Sequence, residues 1–195
     1  MNKAVRLTIA QKKSNFDIND IVANNKILIV NLSFGRLGEW TSSFLGAILI
    51  TKIWQTMISQ SSKNRKNNLY LFIDEFQNFA TDSFTQIFSE ARKYGLSVTV
   101  ANQYINQIPE NIRKALFGNV GSLISFRLGA EDARVMALEF APIFNEYDFT
   151  NLNQKEIYMK ISVEGITSPP FSAESLDLSI PELNFSNQII YNSRS

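Results

Sequence analysis

Leu69-Tyr70-Leu71-Phe72-Ile73-Asp74-Glu75 decides the reading of this chain. An unbroken apolar run stops abruptly at two adjacent carboxylates, as a strand buried in a sheet does where it leaves the core. A second apolar stretch, Leu96 to Val100, is followed by Ala101-Asn102-Gln103. Between them, Thr81 or Asp82 is placed to cap a helix with Phe84, Ile87, Phe88 and Ala91 facing inward. Glu90, Arg92 and Lys93 are polar, and Gly95 is a helix stop. Strand, helix, strand at this spacing implies a βαβ unit with parallel strands. Parallel neighbours bring Gln103 beside Asp74 and Glu75 at one sheet edge, the edge where open α/β sheets hold ligands.

A buried strand that delivers two carboxylates at its C-terminal edge has the Walker B arrangement. The first carboxylate holds the waters of a Mg²⁺ ion and the second polarises an attacking water. The same residue types also serve as turn formers at strand ends. Asp74 then reads equally as a capping carboxylate, and Gln103 as a buried amide bonded to backbone.

Composition narrows the chemistry. At 195 residues the chain is sized for one domain, and a hydrophobic content of 45% suffices for a core. The formal net charge of +1 supplies no global field toward nucleic acid or membrane. There is no cysteine and no histidine, which excludes disulfides, thiolate metal sites and any nucleophile that depends on imidazole. Carboxylates, lysines, arginines, tyrosines and hydroxyls are left to do any chemistry. Residues 1–25 hold no apolar core of a signal peptide. The longest apolar stretch, Phe44 to Ile58, is broken by Lys52 and Gln55 and is too short to span a bilayer. The expected location is cytoplasmic.

Working outward, Val5 to Ile9 alternates as a short edge strand, and Asp17 caps a helix through Ala23. Lys26 to Leu32 is a β-branched run expected to be a strand buried on both faces. Glu39 opens a long helix to about Gln60, whose wide apolar stripe predicts packing on more than one side. Ser61 to Asn68 is a basic, solvated loop. Downstream, a helix started by Pro109 is expected to stop at Gly118, and Ser122 to Leu128 to form a fourth strand. Ala130 to Phe140 follows as a helix, and Ile143 to Asn153 as irregular chain. Glu156 to Val163 alternates as a half-exposed antiparallel edge strand, and Ser168 to Phe171 is a rigid turn. The class is α/β, a mostly parallel sheet flanked by helices.

With those residues placed, the chain resembles the C-terminal part of the motor domain of HerA/FtsK-superfamily ATPases, closest to the TraG/TraD-type coupling proteins of conjugation and type IV secretion. The matching pieces are Ile27 to Gly38, Leu69 to Phe79, Ser89 to Gly95, Val98 to Gln107 and Gly118 to Ala133, and Pro169-Pro170-Phe171 looks like the family's end. The resemblance implies a RecA-like P-loop NTPase fold over residues 1–183, with ATP and Mg²⁺ as cofactors; the polar stretch 184–195 is expected to be a flexible tail. It implies a hexameric ring that moves DNA, with type IV secretion or relaxosome components as partners. Position by position, it implies that Asp74 is the Walker B aspartate and metal ligand, Glu75 the catalytic base and Gln103 the sensor of the γ-phosphate. Arg92 becomes a candidate arginine finger and Arg127 a second candidate. The plain alternative for either arginine is a surface ion pair with Glu90 or Asp132.

One departure limits what the chain can do alone. No G-x-x-x-x-G-K-[ST] occurs, and none of the eight glycines is followed by lysine. That loop supplies the backbone N–H cradle and the lysine for the phosphates. In the family it lies upstream of the equivalent of residue 1. The chain therefore reads as part of a motor without its phosphate grip, and it is predicted not to hydrolyse ATP by itself. Two other readings stay open: a non-catalytic, degenerate RecA-like interaction module, and an unrelated α/β domain in which Asp74 and Glu75 are structural.

Overall fold

The computed structural model of the chain describes residues 16–62 and 68–177. The expected strand at Val5 to Ile9, most of the basic loop and the tail from 184 lie outside the described residues.

Asp17 starts α1 (Ile18–Ala23), its carboxylate accepting the Asn19 N–H at 2.9 Å. A short turn of helix, α2 (Phe34–Leu37), leads into α3 (Glu39–Ser62). Ile50, Ile53, Trp54 and Met57 recur at helical spacing on α3 and are buried. A second stripe, Trp40, Phe44 and Ile48, is exposed, with Trp40 and Phe44 stacked at 5.1 Å. The width of the apolar pattern therefore reflects one packed face and one open face, where packing on several sides was expected.

β1 (Leu69–Ile73) and β2 (Leu96–Val100) pair in parallel, with Leu69 opposite Leu96 and Ile73 opposite Val100. The crossover between them is α4 (Ser83–Glu90), which continues as a 3₁₀ turn over Ala91–Tyr94. Gly95 ends that turn in the left-handed region at φ 72°, where a side chain would be strained. Asp82 occupies the N-cap position without a side-chain cap bond; its carboxylate accepts from Asn111 Nδ2 instead. α5 (Glu110–Asn119) follows Pro109 and runs through Gly118, which does not stop it.

The parallel sheet packs on one side only. Leu69, Leu71, Ile73, Leu96, Val98 and Val100 face a core built from α1, α3, α4 and α5 around Met57, Phe76, Phe84, Ile87 and Ile112. The opposite face carries Tyr70 and Phe72, 66% and 73% exposed, beside exposed Ser97 and Thr99. Among the described residues the parallel pairing is limited to β1 and β2, so the mostly parallel sheet read from the sequence is reduced to one pair.

Lys26 to Leu32 corrects the expectation of a doubly buried strand. The segment forms no ladder among the described residues, and Ile27 and Ile29 are 90% and 81% exposed. Burial on two faces requires a ladder neighbour and a layer on each side. It is held at its ends: Lys26 N donates to the Ile21 carbonyl and Lys26 Nζ to Asp20 on α1, and the Ser42 hydroxyl donates to the Leu32 carbonyl.

The rest of the chain forms a second core. α6 (Ala130–Phe140) and α7 (Glu146–Thr150) bring Ala133, Met136, Phe140 and Phe149 together with Ile105. α7 lies where irregular chain was expected; Asn145 and Asp148 form a capping box that the sequence spells as N-E-Y-D. β3 (Leu123–Ser125), β4 (Glu156–Lys160) and β7 (Phe171–Glu174) make an antiparallel sheet in the order β3-β4-β7. β4 is thus central and not at an edge, because Phe171 to Glu174 returns as a strand. The fourth strand is shorter than expected and pairs antiparallel with β4. β5 (Ser162–Val163) and β6 (Ile166–Thr167) form a small hairpin. Among the described residues no helix is long and apolar enough to cross a membrane.

Candidate functional site

β1 ends at Ile73 and delivers Asp74 and Glu75 to the C-terminal edge of the parallel pair. The strands stay tied past their ends: Ala101 N donates to the Ile73 carbonyl and Phe76 N to the Ala101 carbonyl, both at 2.9 Å. This register carries Gln103 over to the carboxylates. Gln103 Nε2 donates to Glu75 Oε1 at 2.5 Å. Gln77 Nε2, on the 3₁₀ turn Phe76–Asn78, donates to Glu75 Oε2 at 2.6 Å. Two neutral amides therefore grip one carboxylate, one on each oxygen, and fix its plane.

The backbone at Glu75 is left-handed, φ 50° and ψ 47°. A side-chain-bearing residue in that region costs about 1 kcal/mol or more, and such residues cluster at functional sites. Asp74 is exposed, and its Oδ1 accepts the Glu75 N–H at 2.9 Å. A carboxylate has lone pairs to spare beyond one bond, so Asp74 retains capacity for a cation's waters. Among the described residues no cluster of three acidic side chains forms a metal cage. A Mg²⁺ ion bound mainly by phosphates and waters needs only one or two carboxylates, and Asp74 is the residue that would supply one.

Beside this edge runs an open groove of about 1680 Å³ between β2 and β3. Arg92, Asn102, Gln103, Ile124 and Arg127 line it, whereas Asp74 and Glu75 do not. Gln103 therefore stands at the boundary, in the groove and bonded to the carboxylate outside it. Arg92 and Arg127 are both exposed, and among the described residues neither forms an ion pair. The alternative reading of either arginine, a surface ion pair with Glu90 or Asp132, is not formed among the described residues.

Three residues near the edge have bonding roles that escaped the sequence reading. Gln77 is one. Asn102 is another: its Nδ2 is buried without an acceptor, as is Gln77 Oε1 without a donor. Unpaired buried polar atoms are rare enough in folded proteins to mark a place that lacks a partner. The third is Asp132, buried at 6% exposure, whose carboxylate accepts the backbone N–H groups of Ile105 and Asn106. Its sequence signal, an acid in the first turn of a helix, is too common to single out.

Residues 68–155 match the family model described as the TraM recognition site of TraD and TraG. Across that span, a little under half of the chain, it is similar to the C-terminal region of TraG/TraD-type coupling proteins. A solved bacterial conjugative coupling protein, TrwBdeltaN70 in an unbound monoclinic form, is similar at 20% identity and a TM-score of 0.46. The similarity covers 56% of this chain and 31% of that one, so this chain spans less than a third of that protein's length. No curated protein sequence matches the chain. The matched span holds β1, β2, both site carboxylates, Gln103, Arg92 and Arg127, and it extends into the second core as far as Lys155.

Proposed function

We propose that this chain is the C-terminal segment of a RecA-like motor ATPase that moves DNA during conjugative transfer, working at the inner face of the membrane. The observation that carries the reading is the Gln103–Glu75 bond at the C-terminal edge of two parallel strands. In this reading Asp74 would hold the waters of a bound Mg²⁺, and Glu75 would accept a proton from the attacking water. Gln103 exchanges its bond to Glu75 for one to the γ-phosphate. Both amides that grip Glu75 are neutral, so the carboxylate is oriented without a cation spent on it. Bound ATP would bring its own Mg²⁺ and the phosphoryl group to be transferred. Arg92 and Arg127 stand on the groove without an ion pair among the described residues and suit phosphate oxygens, of the same site or of a neighbour in a ring.

The phosphate cradle then comes from a polypeptide segment that bears the glycine-rich loop. The groove between β2 and β3, the bare face at Tyr70 and Phe72, and the orphaned Asn102 amide all support such an addition. The test is ATP turnover by the chain joined to a segment with that loop, with and without Glu75→Gln.

A second reading is favoured by a specific observation. The family description names TraM recognition, so the same region serves as a docking module for a relaxosome protein of that kind. Binding of such a partner that persists in Asp74→Ala and Glu75→Gln, with no turnover in the joined assembly, selects this reading over the first.

A further inference from the structure

The connector after β2 is pinned at both ends by different cores. At its start, Ala101 exchanges backbone bonds with Ile73 and Phe76, which belong to the first core. At its end, the Asp132 carboxylate accepts Ile105 N–H at 3.1 Å and Asn106 N–H at 3.3 Å, from the first turn of α6 in the second core. The Ile105 side chain is itself buried among Ala133, Met136 and Phe140. Glu131 Oε2 accepts from Asn106 Nδ2, and Asn106 Oδ1 from Arg113 on α5. Gln103 sits in the middle of this short bridge. Two residues of extended chain reach only about 7 Å, so little slack separates Gln103 from the Asp132 clamp.

We propose that Asp132 is a positioning residue that holds Gln103 over Glu75, so that the Gln103–Glu75 contact reports where α6 sits relative to the parallel pair. A buried carboxylate with two charge-assisted bonds is a strong tether. Its bonds go to backbone, so the position of the chain is fixed whatever the neighbouring side chains do. Phe140 of α6 packs edge-on against Phe149, which packs in turn on Tyr158, and this joins the clamp to α7 and β4. A shift of that lobe by about an ångström exceeds what a 2.5 Å hydrogen bond tolerates. The contact breaks without any change at Glu75. The consequence for hydrolysis rests on the roles proposed above for Gln103 and Glu75; the positioning itself does not.

The experiment uses the full chain labelled with ¹⁵N and needs no nucleotide. The side-chain amide resonances of Gln103 are assigned by their loss in Gln103→Ala, and their unpaired position is read from Glu75→Ala. In Asp132→Asn, the Ile105 and Asn106 amides should exchange at least tenfold faster, and the Gln103 resonances should move toward the unpaired position. The Phe76 and Phe84 signals of the first core should stay in place. Asn106→Ala, which removes only the exposed side-chain links, should leave Gln103 unmoved. Where Asp132→Asn does not fold, Asp132→Glu keeps the charge on a longer arm and should displace the same resonances. Deprotected Ile105 and Asn106 amides with Gln103 at its wild-type position would overturn the proposal and leave Asp132 a loop anchor. ATP turnover plays no part in this readout, so failure of the hydrolysis reading and failure of this one are distinguishable.

Discussion

Gln103 Nε2 and Glu75 Oε1 lie 2.5 Å apart although 28 residues separate them in the chain. A parallel crossover brings them together; an antiparallel return would have sent Gln103 to the far end of β1. The bond therefore tests the topology and the candidate site at once. With Gln77 on the other oxygen, the Glu75 carboxylate has one orientation available.

The left-handed backbone at Glu75 makes a stability prediction independent of any activity. Glycine adopts that conformation without strain, whereas alanine does not. Glu75→Gly should be more stable than Glu75→Ala by about 1 kcal/mol in urea titrations. Equal stabilities would mean that the backbone at Glu75 is not held left-handed in solution.

Gly46 on α3 marks a close approach. A methyl group there would overlap the Phe79 ring and press on the Leu32 side chain. Phe79 follows the site carboxylates by a few residues, so the strain would be delivered to the turn that holds Gln77. Gly46→Ala should cost about 1–3 kcal/mol. A neutral substitution by thermal melting would show that α3 and that turn are not in contact.

Arg92 is exposed and without an ion pair among the described residues, so its removal should change stability by less than about 0.5 kcal/mol. An arginine that reaches the phosphates of a neighbouring subunit is worth about 10³ to 10⁵ in rate. In the assembled motor Arg92→Ala should remove turnover while nucleotide binding persists, and mixed wild-type and mutant assemblies should lose activity out of proportion to the mutant fraction. Unchanged turnover would reject Arg92 and shift the role to Arg127.

Acid should loosen α1 before the cores. The Asn19 backbone N–H, then its side-chain amide, hold the Asp17 carboxyl below the usual carboxylate range. A folded-state pKa below the unfolded one contributes stability above the unfolded value and loses it as pH falls through the folded value. Below about pH 4, amide exchange over residues 18–23 should therefore accelerate. Asp20 on the same helix is held down by Lys26 and then Asn24 and acts in the same direction. Asp17→Asn should therefore weaken that pH dependence, and Asp17→Asn with Asp20→Asn should remove it; its persistence in the double variant would assign the effect to another group.

The sequence made the site's topology legible and its surroundings less so. The apolar runs of β1 and β2, the intervening helix and Gly95 specified a parallel pair, because period and stop signals are local. Asp74, Glu75 and Gln103 followed from that pair. Lys26 to Leu32 was misread because its composition is that of a buried strand while burial depends on neighbours, which no local pattern encodes. The edge assignment of β4 failed for a related reason: alternation reports that one face is wet, not how many strands flank it. Gln77 and Asp132 act through bonds set by turn geometry and by a second core, and their residue types carry no distinguishing signal.

The most direct measurement is steady-state ATP turnover by the chain joined to a phosphate-loop-bearing segment, compared with the same assembly carrying Glu75→Gln. The substitution keeps the size of the side chain and removes the proton acceptor. The account predicts no turnover by the chain alone, turnover by the joined assembly, and a loss of about 10² to 10⁴ in rate with Glu75→Gln while nucleotide binding is retained. Equal turnover in the wild-type and Glu75→Gln assemblies, or turnover by the chain alone, would contradict it.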